Sequence, residues 1–329
     1  MWWTALPPPG SCKARWTGCA AEMAAILAGV LPVFLLLALG YGLKKSDYLP
    51  DAAWRPIEKL AINVLYPGFL IPAIWNADLS GSAAGAAGAA AVTVSIIIST
   101  LTLLSKPLLP LSGPAYTSVF QGMIRWNSFV FLPVVQATFG PAGVGLAAVV
   151  IAAMIPVSNI LSVVVLAKWG AGQHGASPKA LFRAMMSNPI LLACLLGLAL
   201  NFSGAPQPPG VAETLQLLGS AALPLGLIVA GAGLSFRELA RTRVTVGAVV
   251  VVKMIVTPLA MWQLARLYGG DELAQGIALL CGAAPGAASA YVLARQMGGD
   301  APLMAGIIAA TTVFSVIGIP MALLLFHLT

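Results

Sequence analysis

Negative charge is scarce in this chain. Ten aspartate and glutamate residues serve 329 positions, and charged residues of both signs make up 8% of it. The ten are Glu22, Asp47, Asp51, Glu58, Asp78, Glu213, Glu238, Asp271, Glu272 and Asp300, and each falls in a loop or near the end of an apolar run. A carrier that moves protons on a buried carboxylate needs one at membrane depth, so that form of coupling is disfavoured. Histidine is scarcer still: His174 is in a loop and His327 is at the carboxyl end. With no buried Asp pair, no HExxH and no GxSxG, the hydrolytic centres those motifs build are absent. No GxxxxGK[ST] loop occurs, which excludes direct use of ATP through that fold. Of the four cysteines, Cys12 and Cys19 lie near the amino terminus and Cys194 and Cys281 in apolar runs, without the CxxC spacing of a metal site. None of this reads as an enzyme.

Apolar residues fill the space. The chain is 59% hydrophobic, with a mean hydropathy of +0.94. A soluble domain carries roughly a quarter charged residues, so this is an all-α polytopic membrane protein. Runs of about 20 apolar residues cross a bilayer. Five lie at Ala24–Leu43, Ile57–Trp75, Ala83–Leu104, Tyr116–Thr138 and Gly143–Lys168, and five more at Leu181–Asn201, Thr214–Leu234, Val244–Leu267, Ala274–Gln296 and Pro302–Phe326. That is ten predicted spans.

The formal charge of +7 is placed to set orientation, not to meet nucleic acid. Loops after odd-numbered spans hold Lys44, Lys45, Arg55, Lys59, Lys106, Lys179, Arg183, Arg237, Arg241 and Arg243, whereas the other side holds little beyond Arg266. By the positive-inside rule, the odd-span loops are cytoplasmic and both termini face outward. Residues 1–22 lack the separate apolar core and cleavage site of a signal peptide. They read as a tail, or as the result of a start assigned upstream of Met23.

The chain repeats itself at an offset of 157. Pro32 matches Pro189, Gly40 matches Gly197, and Pro67 matches Pro224. Leu70 and Ile71 match Leu227 and Ile228, and Ser158 matches Ser315. The organisation is then a tail (1–22), a first repeat (23–168), a cytoplasmic linker (169–180) and a second repeat (181–329). Five spans is an odd number, so the second copy enters from the opposite side. Inverted repeats of this kind occur in secondary transporters.

Spans four and nine are both interrupted. Span four, FQGMIRWNSFVFLPVVQATFG, carries Asn127 and Pro133 near its middle; span nine, LCGAAPGAASAYVLARQ, carries Pro285 and Gly286. A mid-helix proline deletes a backbone hydrogen bond, and unsatisfied backbone at membrane depth is tolerated only inside protein or along a wet cavity. A single proline reads as a kink. The matched pair predicts two helices that unwind and cross near the midplane, with half-helix amino ends that suit an anion. Asn127 can donate and accept at that crossing, or serve as a helix–helix hydrogen bond. Asn159, after Pro156 in span five, lines the cavity or bonds a neighbouring helix. Arg125 and Lys253 lie near the midplane of spans four and eight. Such cations point to an anionic substrate or to the capping of carbonyl ends. Arg295 closes span nine and can snorkel to the interface.

The segments LPVFLLLALGYGLKK, VLYPGFLIPAIW, RWN, IPVSNILSV, SNPILLACLLGLAL, LPLGLIVAGAGL, KMIVTP and PGAASAYVLARQMGGD together resemble the auxin efflux carrier family, in order and over nearly the whole chain from Met23. That family includes plant auxin carriers and bacterial permeases for malonate and related organic acids. The resemblance implies ten helices in two inverted five-helix repeats with crossing helices four and nine. It implies a small organic anion at the crossing, a lipid bilayer as surroundings and a homodimer. Residue by residue, Asn127 and Pro133 match the first crossing motif and Pro285 the second. The long loop of many plant carriers is replaced here by WGAGQHGASPKA. The expected function is alternating-access transport of small organic anions in a bacterial cell membrane, with Arg125, Asn127, Pro133, Asn159, Lys253, Pro285, Gly286 and Ser289 as substrate-site residues. No cofactor is expected. The coupling ion stays open between sodium and the proton: the alternative is a sodium-coupled symporter of the bile-acid type, with Ser128, Ser289, Thr311 and Thr312 as hydroxyl donors to sodium. An anion channel is the further alternative.

Overall fold

A computed structural model describes residues 30–77, 83–171, 186, 188–236 and 243–327. The tail 1–22, most of the linker 169–180, and Lys179, Arg183, Arg237 and Arg241 lie outside the described residues. Those described form helices and no strand.

In chain order they are α1 (30–45), α2 (Asp51–Trp75), α3 (Ala83–Ser105), α4 (Gly113–Ile124), α5 (Ser128–Trp169), α6 (Pro189–Ser203), α7 (Val211–Ala232), α8 (Arg243–Leu267), α9 (Glu272–Ala283), α10 (Ala288–Met297) and α11 (Ala301–His327). Six helical stretches among the described residues are long and apolar enough to cross a membrane, and seven when α9 and α10, bent by 47° across their break, count as one. Leu35, Leu101 and Ile317 project outward at 58%, 60% and 70% exposure, as a lipid-facing surface allows.

Helix ends follow local chemistry. Ser112 caps α4 by accepting from the Ala115 N–H, and Asp271 caps α9 by accepting from the Ala274 N–H. Asn188 accepts from the N–H groups of Ile190 and Leu191 ahead of Pro189 at the start of α6. Such caps satisfy the orphan donors of a first turn. Helices α2 and α8 each widen into a π turn, at Ala61–Leu65 and Val252–Val256. Each π turn precedes a proline, Pro67 or Pro258, whose missing N–H breaks the regular ladder.

Packing divides the helices into two groups. In the first, α2 lies against α6 and α7, and α1 joins them through close backbone contact. A Cβ at Gly40 would stand 2.0 Å from the Ile228 carbonyl oxygen, and one at Gly197 would meet the Ile74 side chain at 2.8 Å and the Ile71 carbonyl at 3.3 Å. In the second, α3 packs on α5, α8 and α9, while α4 and α10 pack on α11. The alanine-rich start of α3 buries Ala86, Ala87, Ala90 and Ala91, so small side chains let its neighbours approach. Helix α5 touches both groups.

Candidate functional site

The chain leaves helical geometry twice at the same place. Helix α4 stops at Ile124, Arg125 turns extended (ψ 141°), and α5 restarts at Ser128. Asn127 starts it, its Oδ1 accepting from the Phe129 N–H at 2.9 Å. Helix α9 stops at Ala283 and α10 restarts at Ala288. The two breaks touch: the Asn127 N–H donates to the Pro285 carbonyl at 2.8 Å. The Gly286 N–H donates to Thr311 Oγ1 at 3.0 Å, and that hydroxyl donates onward to carbonyls of its own helix, Ile307 and Ile308. Backbone groups released by the breaks thus find partners inside the protein, as buried polar groups require.

Arg125 occupies the gap in the first break. It is 9% exposed. One terminal nitrogen donates to Asn159 Oδ1 at 2.8 Å and the other to Ser289 Oγ at 2.9 Å, while Nε is buried without a partner. Both partners are neutral. Among the described residues the one ion pair joins Lys44 and Asp51, far from this position in the chain. The amino ends of α5 and α10 lie at the same crossing and add partial positive charge to that of the guanidinium.

A cavity of about 360 Å³ opens beside Arg125. Its inner wall is Arg125 with Asn159 and Val163 of α5 and Ser289, Val292, Leu293 and Gln296 of α10; its outer wall is Arg55, Glu58, Lys59 and Ile62 of α2. The cavity therefore lies between the two helix groups. The cavity wall thus combines three cationic side chains, one carboxylate and neutral hydrogen-bonding groups, chemistry that suits an anionic group. No group of three His, Cys, Asp or Glu side chains able to hold a metal occurs among the described residues.

The residues named from sequence separate into three sets. Arg125, Asn159 and Ser289 line the cavity. Asn127, Pro285 and Gly286 hold the breaks together next to it. Pro133 and Lys253 are elsewhere. Pro133 is buried inside α5, in its second turn, because the break falls six residues earlier, at the Asn127 cap. Lys253 is 1% exposed in the π turn of α8, beside Cys281 in the last turn of α9, and does not line the cavity. Of the hydroxyls considered for sodium, Thr311 and Thr312 donate to carbonyls of their own helix and Ser289 accepts from Arg125. Arg295 is exposed and lies 6.0 Å above the Tyr291 ring. The outer wall adds residues that the sequence marks only for orientation, Arg55 and Lys59. Their signal was the strongly amphipathic run DAAWRPIEKL.

Comparison with known proteins gives the family of the chain. Residues 25–323 match the family model described as membrane transport protein. An "Uncharacterized transporter" of Methanothermobacter thermautotrophicus is 26% identical over 301 residues, spanning 89% of this chain and 95% of that protein. A "Putative malonate transporter" of Rhizobium meliloti is 27% identical over 135 residues, 41% of this chain and 42% of that protein.

Proposed function

Because this chain belongs to the membrane transport protein family, the auxin efflux carriers its sequence resembles, we propose that it is a secondary active transporter of small organic anions. Carboxylates such as malonate bind beside the crossing of the two breaks, and access alternates between the two sides of the membrane. One observation carries the reading: Arg125 is a buried cation with two neutral partners, an unused Nε and a cavity at its side. Buried charge without a counter-ion is costly, and an incoming carboxylate supplies the missing charge.

Ten spans in two inverted repeats form part of the proposal. The stretch Gly113–Trp169 has 57 residues, about 85 Å as a straight helix, against a hydrocarbon core of about 30 Å. It breaks at the crossing and again at Gly140, where φ is 62° and ψ −158°, so it supplies two spans. Helix bounds support the duplication: moved by 157, Asp51–Trp75 becomes 208–232, against Val211–Ala232 for α7. The glycine contacts are reciprocal as well. Gly40 meets Ile228 and Gly197 meets Ile71, and both the glycines (197 − 40) and the isoleucines (228 − 71) differ by 157. In this arrangement the cavity mouth, with the exposed Arg55 and Lys59, faces the cytoplasm and both termini face outward. The protein then resides in a bacterial cell membrane, as a homodimer.

Uptake of labelled malonate into proteoliposomes, with unlabelled carboxylates as competitors and with or without a sodium gradient, tests this. Saturable uptake that is competed, stimulated from the trans side and abolished by Asn127→Ala and Pro285→Ala is the expected result. Flux that never saturates and ignores both substitutions would overturn it in favour of a channel. A strict sodium requirement would move it to the symporter class.

A further inference from the structure

Arg125 accounts for one anionic group at the inner end of the cavity, but the cavity has a second charged wall. Arg55, Glu58, Lys59 and Ile62 all line it. Their spacing of three, four and seven residues puts them on one helical face. The positive-inside rule explains basic residues at this end of the membrane whatever direction they face, and Lys44 and Lys45 do not line this cavity. It does not explain why the two basic residues of α2 share the face turned to the crossing. Pro56 falls between Arg55 and Glu58, and the π turn Ala61–Leu65 takes in Ile62, so the helix departs from a regular ladder within this face. Lining charge, taken as three cations (Arg55, Lys59, Arg125) and one anion (Glu58), sums to +2. No close ion pair among the described residues engages Arg55 or Lys59.

Building on the anion site proposed above, we infer that Arg55 and Lys59 form a second carboxylate subsite, and that together with Arg125 they select short dicarboxylates over monocarboxylates. One carboxylate rests on Arg125, between Asn159 and Ser289; the other extends to the α2 wall, where Glu58 sets a limit on excess positive charge. The apolar stretch between them, Val163, Val292 and Leu293, faces the methylene carbons. Arg55 and Lys59 belong to the helix group of α2, whereas Arg125 belongs to the other. A dicarboxylate therefore bridges both groups and a monocarboxylate engages only one.

The test is ligand-dependent thermal stabilisation of the purified full chain in detergent, which needs no flux. Malonate, succinate and acetate are titrated against the wild type, Arg55→Gln/Lys59→Gln, Arg125→Gln and, as an off-cavity control, Lys44→Gln/Lys45→Gln. The wild type and the control are expected to bind the dicarboxylates about tenfold more tightly than acetate, since each exposed charge contributes about threefold to fivefold. The Arg55→Gln/Lys59→Gln variant loses that preference while keeping its acetate affinity, and Arg125→Gln loses both ligands. A preference that survives in Arg55→Gln/Lys59→Gln, or a wild type that treats acetate and malonate alike, overturns the second subsite and leaves the anion site standing. Absence of stabilisation by any carboxylate overturns both.

Discussion

Replacing Arg125 by glutamine separates binding from folding. In a wet cavity with an effective dielectric near 20, a guanidinium about 4 Å from a carboxylate gains about 4 kcal/mol. Stripping water from the anion returns part of that, and hydrogen bonds to charged groups contribute about 1.5–3 kcal/mol net. A loss of about 2–3 kcal/mol follows, or roughly 30- to 150-fold in affinity at 1.4 kcal/mol per decade. The fold should respond in the opposite sense. Wild-type Arg125 is a buried charge held by two neutral groups, Asn159 and Ser289, which is unfavourable without a ligand, and a glutamine can still bond to one of them. The melting temperature of the unliganded variant in detergent is therefore expected to match or exceed that of the wild type. Ligand stabilisation should collapse. At malonate equal to 100 times the wild-type Kd, the wild type gains about 2.7 kcal/mol, whereas a variant weakened 100-fold gains about 0.4 kcal/mol. Uptake KM and melting curves with and without malonate measure all three quantities. A KM within about threefold of wild type, well short of the expected loss, would refute the anion assignment. So would a melting temperature that falls in step with activity, which would make Arg125 a strut between α4, α5 and α10.

Three other positions give distinct signatures. The Asn201 side chain donates to the carbonyls of Ile74, Trp75 and Ala77 at 2.8–3.0 Å, tying α6 to the end of α2. Asn201→Ala should destabilise by about 1–3 kcal/mol, seen in thermal melts, with malonate affinity unchanged. Thr311→Val leaves the buried Gly286 N–H without its acceptor and should lower both stability and uptake, whereas Thr311→Ser restores both; equal behaviour of the two variants would remove that hydroxyl from the account. Lys253→Met should leave the malonate KM within about twofold, the scale of a residue that makes no contact with a ligand, because Lys253 does not line the cavity. A KM change as large as that of Arg125→Gln would put it back in the site.

The crossing was legible because backbone breakers announce themselves. Pro285 and Gly286 cannot continue a helix comfortably, and Asn127 favours a cap over a helix interior, so two matched interruptions marked where the chain unwinds. Pro133, although a proline in the same run, is not part of the break. In the second turn after a new start it forfeits a single N–H bond, and α5 continues through it. Arg125 and Asn159 were separate candidates in sequence, 34 positions apart, and the structure joins them by one hydrogen bond. The outer wall was illegible for a different reason. The positive-inside rule accounts for Arg55 and Lys59, and their facing direction emerges only where α2 faces α10, from the far end of the chain, across the cavity. Lys253 shows the converse: it is buried, but a place inside an apolar run does not say which neighbours a side chain reaches.

The bond from Asn127 to Pro285 is made by main chain on both sides. Its donor exists for every residue except proline, and its acceptor exists for every residue. A side-chain change at either position leaves this join itself in place unless position 127 becomes proline, so the losses expected of Asn127→Ala and Pro285→Ala fall on the cap and the break rather than on the join. Relatives can drift apart in the lettering of both breaks and still hold them together at the same point.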